Sequence, residues 1–281
     1  MTTSDVIVIG GGLHGCSAAL HLAMRGAAVR LIEKDHAGRH ASGVNAGGVR
    51  RLGRHVAEIP ISVASMEMWH RIESLVDDHC CFESHGQVKV AENEADLARL
   101  KARVEEVRAL GFTHEELIGQ DELREVVPAI SEHCLGAIYC RADGAAMPYR
   151  TTLAFKRKAE ALGAVVEEGT RVTGVKRVRG IWHVETDEGE RQAPVIVNCA
   201  GAWADRIAAA LGEPVPLEVI APMLQISARL PPFLKPVIGT AGRKLSFKQY
   251  ENGTVLVGGG YRGRPHRDEN RTDLDWQALG T

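Results

Sequence analysis

The chain has 281 residues, 44% of them apolar and 25% charged, with a net charge of −2 at pH 7. This length suits one large domain or two domains of roughly 100–200 residues each. The near-zero net charge argues against a nucleic-acid-binding protein, which usually carries a basic excess. No apolar run approaches the length of about 20 residues that a membrane-spanning helix requires. The first ten residues, MTTSDVIVIG, lack the basic segment and cleavage site of a secretory signal, so we expect a cytoplasmic protein with reduced cysteines.

The chain begins with a strand, a glycine-rich turn and a helix. Residues 5–9 (DVIVI) are apolar and rich in β-branched side chains, which predicts a strand buried on both faces of a parallel sheet. Helical spacing of apolar residues follows over 13–25, and a second strand is predicted at 28–33. This order is that of a βαβ unit.

The turn of this unit has the spacing of a dinucleotide-binding motif. Gly10 allows the tight turn, Gly12 lets a pyrophosphate approach the backbone, and Gly15 lets the helix pack closely on the sheet. The N–H groups at the start of the helix favour the phosphate charge. Glu33, at the end of the second strand, is placed to accept hydrogen bonds from ribose hydroxyls, and its charge disfavours NADP. The unit alone leaves FAD and NAD both open.

The remaining pattern indicates a discontinuous α/β domain with a second domain inserted into it. Predicted helices lie at 58–77, 95–110, 121–127 and 151–162, strands lie at 87–91, 164–168, 170–178, 181–186 and 195–198, and β-rich stretches lie at 217–229 and 244–260. We therefore divide the chain into a nucleotide-binding domain (1–82 and 145–215), a sheet-based α+β domain (83–144 and 216–266) and a tail (267–281).

A loop of small polar residues and glycines follows the acidic strand end. Within residues 42–48, Ser42 is placed to reach a phosphate, and the stretch from Asn45 to Gly48 is flat enough to face a ring. A backbone of this kind can lie against an extended cofactor.

Three segments carry a resemblance to a known family. They are residues 6–15 (VIVIGGGLHG), 41–50 (ASGVNAGGVR) and 198–205 (NCAGAWAD). With them, nearly the whole chain resembles the D-amino-acid oxidase-like family of FAD-dependent oxidoreductases, which includes glycine and sarcosine oxidases. The second segment is most similar to the flavoprotein subunits of opine and hydroxyproline dehydrogenases. The resemblance implies a Rossmann-like FAD-binding domain of the glutathione-reductase type and an antiparallel-sheet substrate domain.

The resemblance also implies where FAD binds. The glycine turn would hold the pyrophosphate, Glu33 the adenosine ribose, the backbone of Val172 the adenine, and the loop after Ser42 the stretch towards the flavin. The implied cofactor-binding positions are Gly10, Gly12, Leu13, His14, Gly15, Glu33, Lys34, Ser42, Asn45, Ala46, Gly47, Gly48, Val172, Ala200, Gly201 and Trp203.

The chemistry that the resemblance implies is oxidation of a C–N bond. A hydride passes from the carbon beside an amine nitrogen to the flavin N5, and water hydrolyses the resulting imine. The substrate is a small amine or amino acid, whose carboxylate needs a cation. We predict Arg50 and Lys248 in this role. Other cations and polar groups considered are Arg51, Arg243, Tyr250 and His40.

No metal site is predicted, because the cysteines and histidines lack ligand spacing. Members of the family usually continue beyond the point where this chain stops, so we expect it to lack the C-terminal portion. An alternative is therefore a partner-dependent or non-catalytic FAD-binding subunit, which would need a partner subunit or an electron-acceptor protein. An NAD-dependent dehydrogenase is a third hypothesis.

Overall fold

A computed structural model describes residues 4–280. The helices are α1 (Leu13–Ala23), α2 (Ala41–Val44), α3 (Ile59–Trp69), α4 (Ile72–Val76), α5 (Glu94–Ala109), α6 (Gln120–Val126), α7 (Pro148–Ala161), α8 (Ala204–Ala210) and α9 (Trp276–Leu279), with 3-10 turns at Val56–Glu58 and Gly201–Trp203. The strands are β1 (Val6–Ile9), β2 (Val29–Glu33), β3 (Gly48–Val49), β4 (Gln87–Ala91), β5 (Glu116–Gly119), β6 (Gly136–Cys140), β7 (Gly144–Ala145), β8 (Val165–Glu168), β9 (Val172–Val178), β10 (Ile181–Thr186), β11 (Gly189–Ala193), β12 (Val195–Asn198), β13 (Ala221–Pro222), β14 (Gln225–Arg229), β15 (Val237–Thr240), β16 (Ser246–Gln249), β17 (Thr254–Gly258), β18 (Arg262–His266) and β19 (Arg271–Asp273).

A four-stranded sheet in the order β12-β1-β2-β8 supports the first half of the molecule, and its pairings are all parallel. Every residue of β1 and β2 is buried, because both faces of the sheet are covered. Helices α1 and α7 cover one face, where Leu20 and Ala159 are fully buried. The hairpins of β9, β10 and β11 cover the other face, where Val184 packs against Ile7.

A seven-stranded sheet in the order β14-β17-β16-β15-β4-β6-β5 forms the second layer. Side chains alternate between its faces. Val88, Val90 and Ile238 pack on one face against Leu123 of α6. Gln87 and Lys89, which alternate with these residues along β4, point to the opposite face, towards residues 48–54.

The structure confirms most predicted elements. The α/β fold class is confirmed, and so is the βαβ start. One feature of the second sheet differs from the prediction: β4 pairs with β15 in parallel, so this sheet is mixed rather than antiparallel. The two strands are far apart in the chain, so no hairpin constrains their direction.

Three local differences have simple physical causes. The helix predicted at 58–77 is two helices, because the chain turns at residues 70–71 between α3 and α4. Helix α7 begins at Pro148 rather than at 151, since proline is well suited to a first helical turn. Strands β5 and β6 in the region 83–144 escaped prediction because they are short and lack clear alternation.

The parallel sheet takes strands from residues 6–33 and 165–198, and the mixed sheet takes strands from 87–140 and 225–258. The proposed domain boundaries stay a prediction. Residues 1–3 and 281 of that division lie outside the described residues.

Candidate functional site

The glycine turn between β1 and α1 is built for close backbone contacts. Gly10 has φ +108°, in the region that favours glycine. A Cβ on Gly10 would collide with the carbonyl of Cys199, which follows the neighbouring strand β12. A Cβ on Gly15 would collide with the carbonyl oxygen of Gly10, so α1 can pack this closely only with glycine there.

Gly12 faces open space in front of the helix N-terminus. A Cβ there would meet only Ser42, whose Oγ would lie 3.0 Å away. Gly12 is the N-cap of α1 and, as a glycine, has no side chain with which to cap the helix. The backbone N–H of Leu13 donates to Ser42 Oγ at 2.9 Å. Ser42 therefore borders the space in front of the N-terminus of α1, where we predict that a phosphate binds.

Glu33 is buried at the end of β2. Its carboxylate accepts hydrogen bonds from the N–H of Gly11 at 2.6 Å and from the N–H of Asp35 at 2.9 Å. These two bonds fix the carboxylate beside the turn. Asp35 in turn bonds to Nε2 of His40 at 2.8 Å, so these potential metal-ligand atoms already serve local structure.

A cavity of about 400 Å³ extends from this turn. Trp203 lines it, with Lys34 Nζ 3.3 Å from the centre of its ring and the His40 ring 4.8 Å away. Trp203 is therefore a cavity wall. Burial lowers the pKa of Lys34, which the nearby Asp35 partly opposes. The predicted positions that line the cavity are Gly10, Gly12, His14, Lys34, Ser42, Ala200, Gly201 and Trp203.

These residues fit a dinucleotide. The open cradle at Gly12, the N-terminus of α1 and the anchored carboxylate of Glu33 would suit the pyrophosphate and ribose of FAD. Val172 begins β9 and packs against the apolar cluster below the sheet, outside the lining of this cavity. Leu13 and Gly15 belong to the closely packed start of α1 and lie outside the lining of this cavity.

A second cavity, of about 610 Å³, lies below the mixed sheet. Lys248 on β16 lines it, although only 4% of this residue is exposed. Burial lowers the pKa of Lys248 to about 8, against the attraction of Glu83. Its Nζ lies 4.3 Å from the centre of the Tyr250 ring, and in residues 4–280 it makes no hydrogen bond or ion pair.

The loop after α2 joins the two cavities. Val44 lines both of them, and Asn45 lines the larger one. The Asn45 side chain accepts from Gly47 N at 2.7 Å and donates to Ser42 O at 3.2 Å, which shapes the loop. A Cβ on Gly47 would lie 3.1 Å from Lys248 Nζ.

The two predicted cations lie in different cavities. Arg50 lines a cavity of about 380 Å³ together with Gly48 and Arg54, and its Nη1 donates to the carbonyl of Leu52. Lys248 lines the cavity of about 610 Å³, and Arg50 is not among the residues that line it. Arg50 is exposed as a whole residue, and the partial enclosure of its guanidinium lowers its pKa.

The other two arginines considered are committed to ion pairs. Arg51 Nε binds Asp143 at 3.1 Å, and Asp143 is fully buried. Arg243 forms two hydrogen bonds, of 2.8 and 2.9 Å, with Glu92. Both therefore have structural partners.

Sequence reasoning missed several residues that the structure brings to these cavities. Asp143 organises the turn after β3, and Glu83, Cys81 and Lys89 line cavities. None belongs to a recognisable motif, because each lies next to the site only through pairing of distant strands. Among residues 4–280, no helix has the length and apolar character to cross a membrane.

Solved structures share this fold. The L-proline dehydrogenase of P. horikoshii aligns with a TM-score of 0.85 and 25% identity, over 95% of this chain and 74% of that one. The glycine oxidase of Bacillus cereus ATCC 14579 aligns with a TM-score of 0.84 and 22% identity, over 97% of this chain and 72% of that one.

Curated relatives point in the same direction. The mitochondrial sarcosine dehydrogenase of Mus musculus is 27% identical over 99% of this chain and 32% of that protein. The chain thus spans about a third of the length of such relatives. The model of the FAD dependent oxidoreductase family (DAO) matches residues 5–279. This chain belongs to that family of FAD-dependent flavoproteins.

Proposed function

We propose that this chain oxidises the C–N bond of an amino acid or a secondary amine, with FAD as its cofactor. The observation that carries the proposal is the junction of two cavities at Val44. One cavity opens at the dinucleotide-binding turn, and the other contains a buried lysine. A cofactor that extends along residues 41–48 would reach from the first cavity to the second.

The residues of the turn would hold FAD, which supplies a hydride acceptor when bound. The backbone at Gly12 and the start of α1 would bind the pyrophosphate, and Glu33 the ribose. Residues 45–48 would lie beside the ring, because Asn45 and Gly47 border the cavity of Lys248. In the reaction, the substrate loses a hydride and a proton, and water converts the imine to a carbonyl compound and an amine.

Lys248 is proposed to bind the substrate carboxylate in the larger cavity. Below pH 8 its ammonium is charged, and a charge enclosed by apolar walls attracts a carboxylate strongly. Because its pKa is about 8, this attraction fades as the pH rises through that value. The KM for carboxylated substrates should therefore rise above pH 8.

The test is anaerobic bleaching of the flavin by a panel of sarcosine, glycine, dimethylglycine, proline and D-amino acids. Bleaching reports the reductive step without assuming an electron acceptor. Oxygen uptake with the active substrate then separates an oxidase from a dehydrogenase. A protein that takes up FAD stoichiometrically but is bleached by no amine would contradict the proposal.

A second candidate function is an FAD-binding subunit that requires another polypeptide for turnover. Large apolar side chains concentrate on the surface of the last quarter of the chain, with Ile226 67% and Trp276 74% exposed. Such patches often mark interaction sites. Amine oxidation by the isolated chain at a normal rate with an artificial dye acceptor would exclude this candidate.

A further inference from the structure

Two cations lie side by side at the turn after β3. Gly53 has φ +65° and marks the position between them. A Cβ on this glycine would lie 3.6 Å from Arg50 Nη1 and 4.0 Å from Lys89 Nζ. Two like charges that border the same small space repel each other, and negative charge in that space would stabilise the arrangement.

The neighbouring carboxylates attract the two cations, but their direct contacts are with other groups. Glu115 is buried and already binds Arg103 Nε at 3.0 Å and the N–H of Gly53 at 2.8 Å. Asp143 accepts from the backbone N–H groups of residues 51 and 52, both at 2.8 Å, and from the Arg51 side chain.

A third acid, Glu58, lines the cavity of Arg50 and forms an ion pair with Arg54 Nη1 at 3.8 Å. Each of these acids therefore has its direct partners elsewhere and forms no ion pair with Arg50 or Lys89. Within residues 4–280, neither forms an ion pair, and the Arg50 guanidinium bonds only to the carbonyl of Leu52. Arg50, which is exposed, and Lys89, which is half-buried, therefore have no direct anionic partner among residues 4–280.

Space for a ligand adjoins this pair of cations. Lys89 and Gly53 line a cavity of about 220 Å³ between the mixed sheet and α5, whose lining also includes Leu100, Arg103 and Glu115. Arg50 lines the neighbouring cavity of about 380 Å³. Burial lowers the pKa of Lys89, and the charge of Arg50 lowers it further. An anion bound here would relieve both effects.

This place differs from the cavity of Lys248. Gln87, on the same face of the sheet, donates from Nε2 to the carbonyl of Gly144 at 2.8 Å. The short ribbon of β3 and β7 therefore covers Gln87 and stands between the two cations and the larger cavity.

We propose that Arg50 and Lys89 form a binding site for a small oxyanion, a carboxylate or a phosphate. The arginine offers a planar fork of donors and the lysine offers a point charge, and both border the space above Gly53. The oxyanion belongs either to the substrate or to a separate small molecule. The site itself does not depend on the proposed amine oxidation.

The first experiment uses thermal unfolding of the full chain with added inorganic phosphate, acetate or malonate at constant ionic strength. We expect at least one of these anions to raise the Tm of the wild type. In Lys89→Met and in Arg50→Gln, binding of that anion should weaken about tenfold, as expected for a hydrogen bond to a charged group. Lys89→Arg should retain most of the response.

The control is Lys101→Met, since Lys101 is exposed on the helix that covers the cavity. It should respond like the wild type. Removing an unpaired lysine from an enclosed place should not unfold the protein, and Arg50→Gln tests the site independently. Absence of any anion response in the wild type, or a response in both site variants as large as that of the wild type, would overturn the proposal.

A second measurement identifies the source of the oxyanion. Sarcosine and its uncharged amide are compared for binding to the FAD-loaded protein, followed by the flavin spectrum. If the anion competes with sarcosine and Lys89→Met weakens sarcosine but not the amide, the substrate supplies the carboxylate. If sarcosine binding is unchanged while the thermal response is lost, a separate small anion occupies the site.

Discussion

The glycine turn and the cavity-facing side of the mixed sheet, the two proposed anion-binding regions, differ in the groups that they offer to an anion. The turn uses backbone N–H groups and missing side chains, all within residues 10–15. The sheet uses buried side-chain charges on strands β4 and β16, which lie far apart in the chain. The turn would bind phosphate through its backbone conformation, whereas the sheet would depend on charges that are costly to bury.

The largest effect is expected where the turn has no room. In Gly15→Val the side chain would collide with the Gly10 carbonyl, a backbone group that cannot rotate away. We expect a loss well above the roughly 1–3 kcal/mol typical of overpacking, seen as a collapse of Tm or of soluble yield. Near-normal thermal stability would show that α1 can shift.

Gly12→Val is the matched change in the same turn. Its side chain would face Ser42 and the open cradle, so the protein should fold but lose FAD. The flavin absorbance of the purified variant measures this. Stoichiometric FAD in Gly12→Val would show that the pyrophosphate lies elsewhere.

The next largest effect is expected at Asp143, the buried acid that holds the turn after β3. Asp143→Ala removes a buried carboxylate from Arg51 and from two backbone N–H groups. Breaking a buried pair of this kind destabilises by about 3–5 kcal/mol. Arg243→Ala is the control: its side chain is 60% exposed, and an exposed pair contributes about 0–1 kcal/mol. Denaturant unfolding measures both, and equal losses would remove the distinction.

Lys248 provides a test by pH. Its pKa is about 8 in the folded chain and 10.5 ordinarily, so between these values the unfolded chain binds more protons. Stability from this group should therefore rise as the pH increases from 8 to 10.5, by about 3 kcal/mol at most.

Lys248→Met should be more stable than the wild type at pH 7 and should lack this rise. The difference between the two proteins in denaturant unfolding isolates Lys248 from other groups that titrate at high pH. A constant difference across this range would show that the lysine is solvated.

The smallest effect is expected at the cavity wall. Trp203→Leu removes the ring that contacts Lys34 and His40. An aromatic contact contributes about 1 kcal/mol, so FAD binding should weaken about fivefold. Titration of the apoprotein with FAD measures the change. An unchanged Kd would place the cofactor away from this wall.

Much of this molecule can be read directly from the order of its residues. The turn at Gly10–Gly15, the helix behind it and the acid Glu33 follow from short-range spacing, because each depends on neighbours within one βαβ unit. The charged sites could not be read in this way. Arg50 and Lys89 border the same space only because β4 passes beside the turn after β3. Lys248 is buried only because β15 and β16 join that sheet. Burial and unpaired charge arise from packing between distant segments, and no local pattern of residues encodes them.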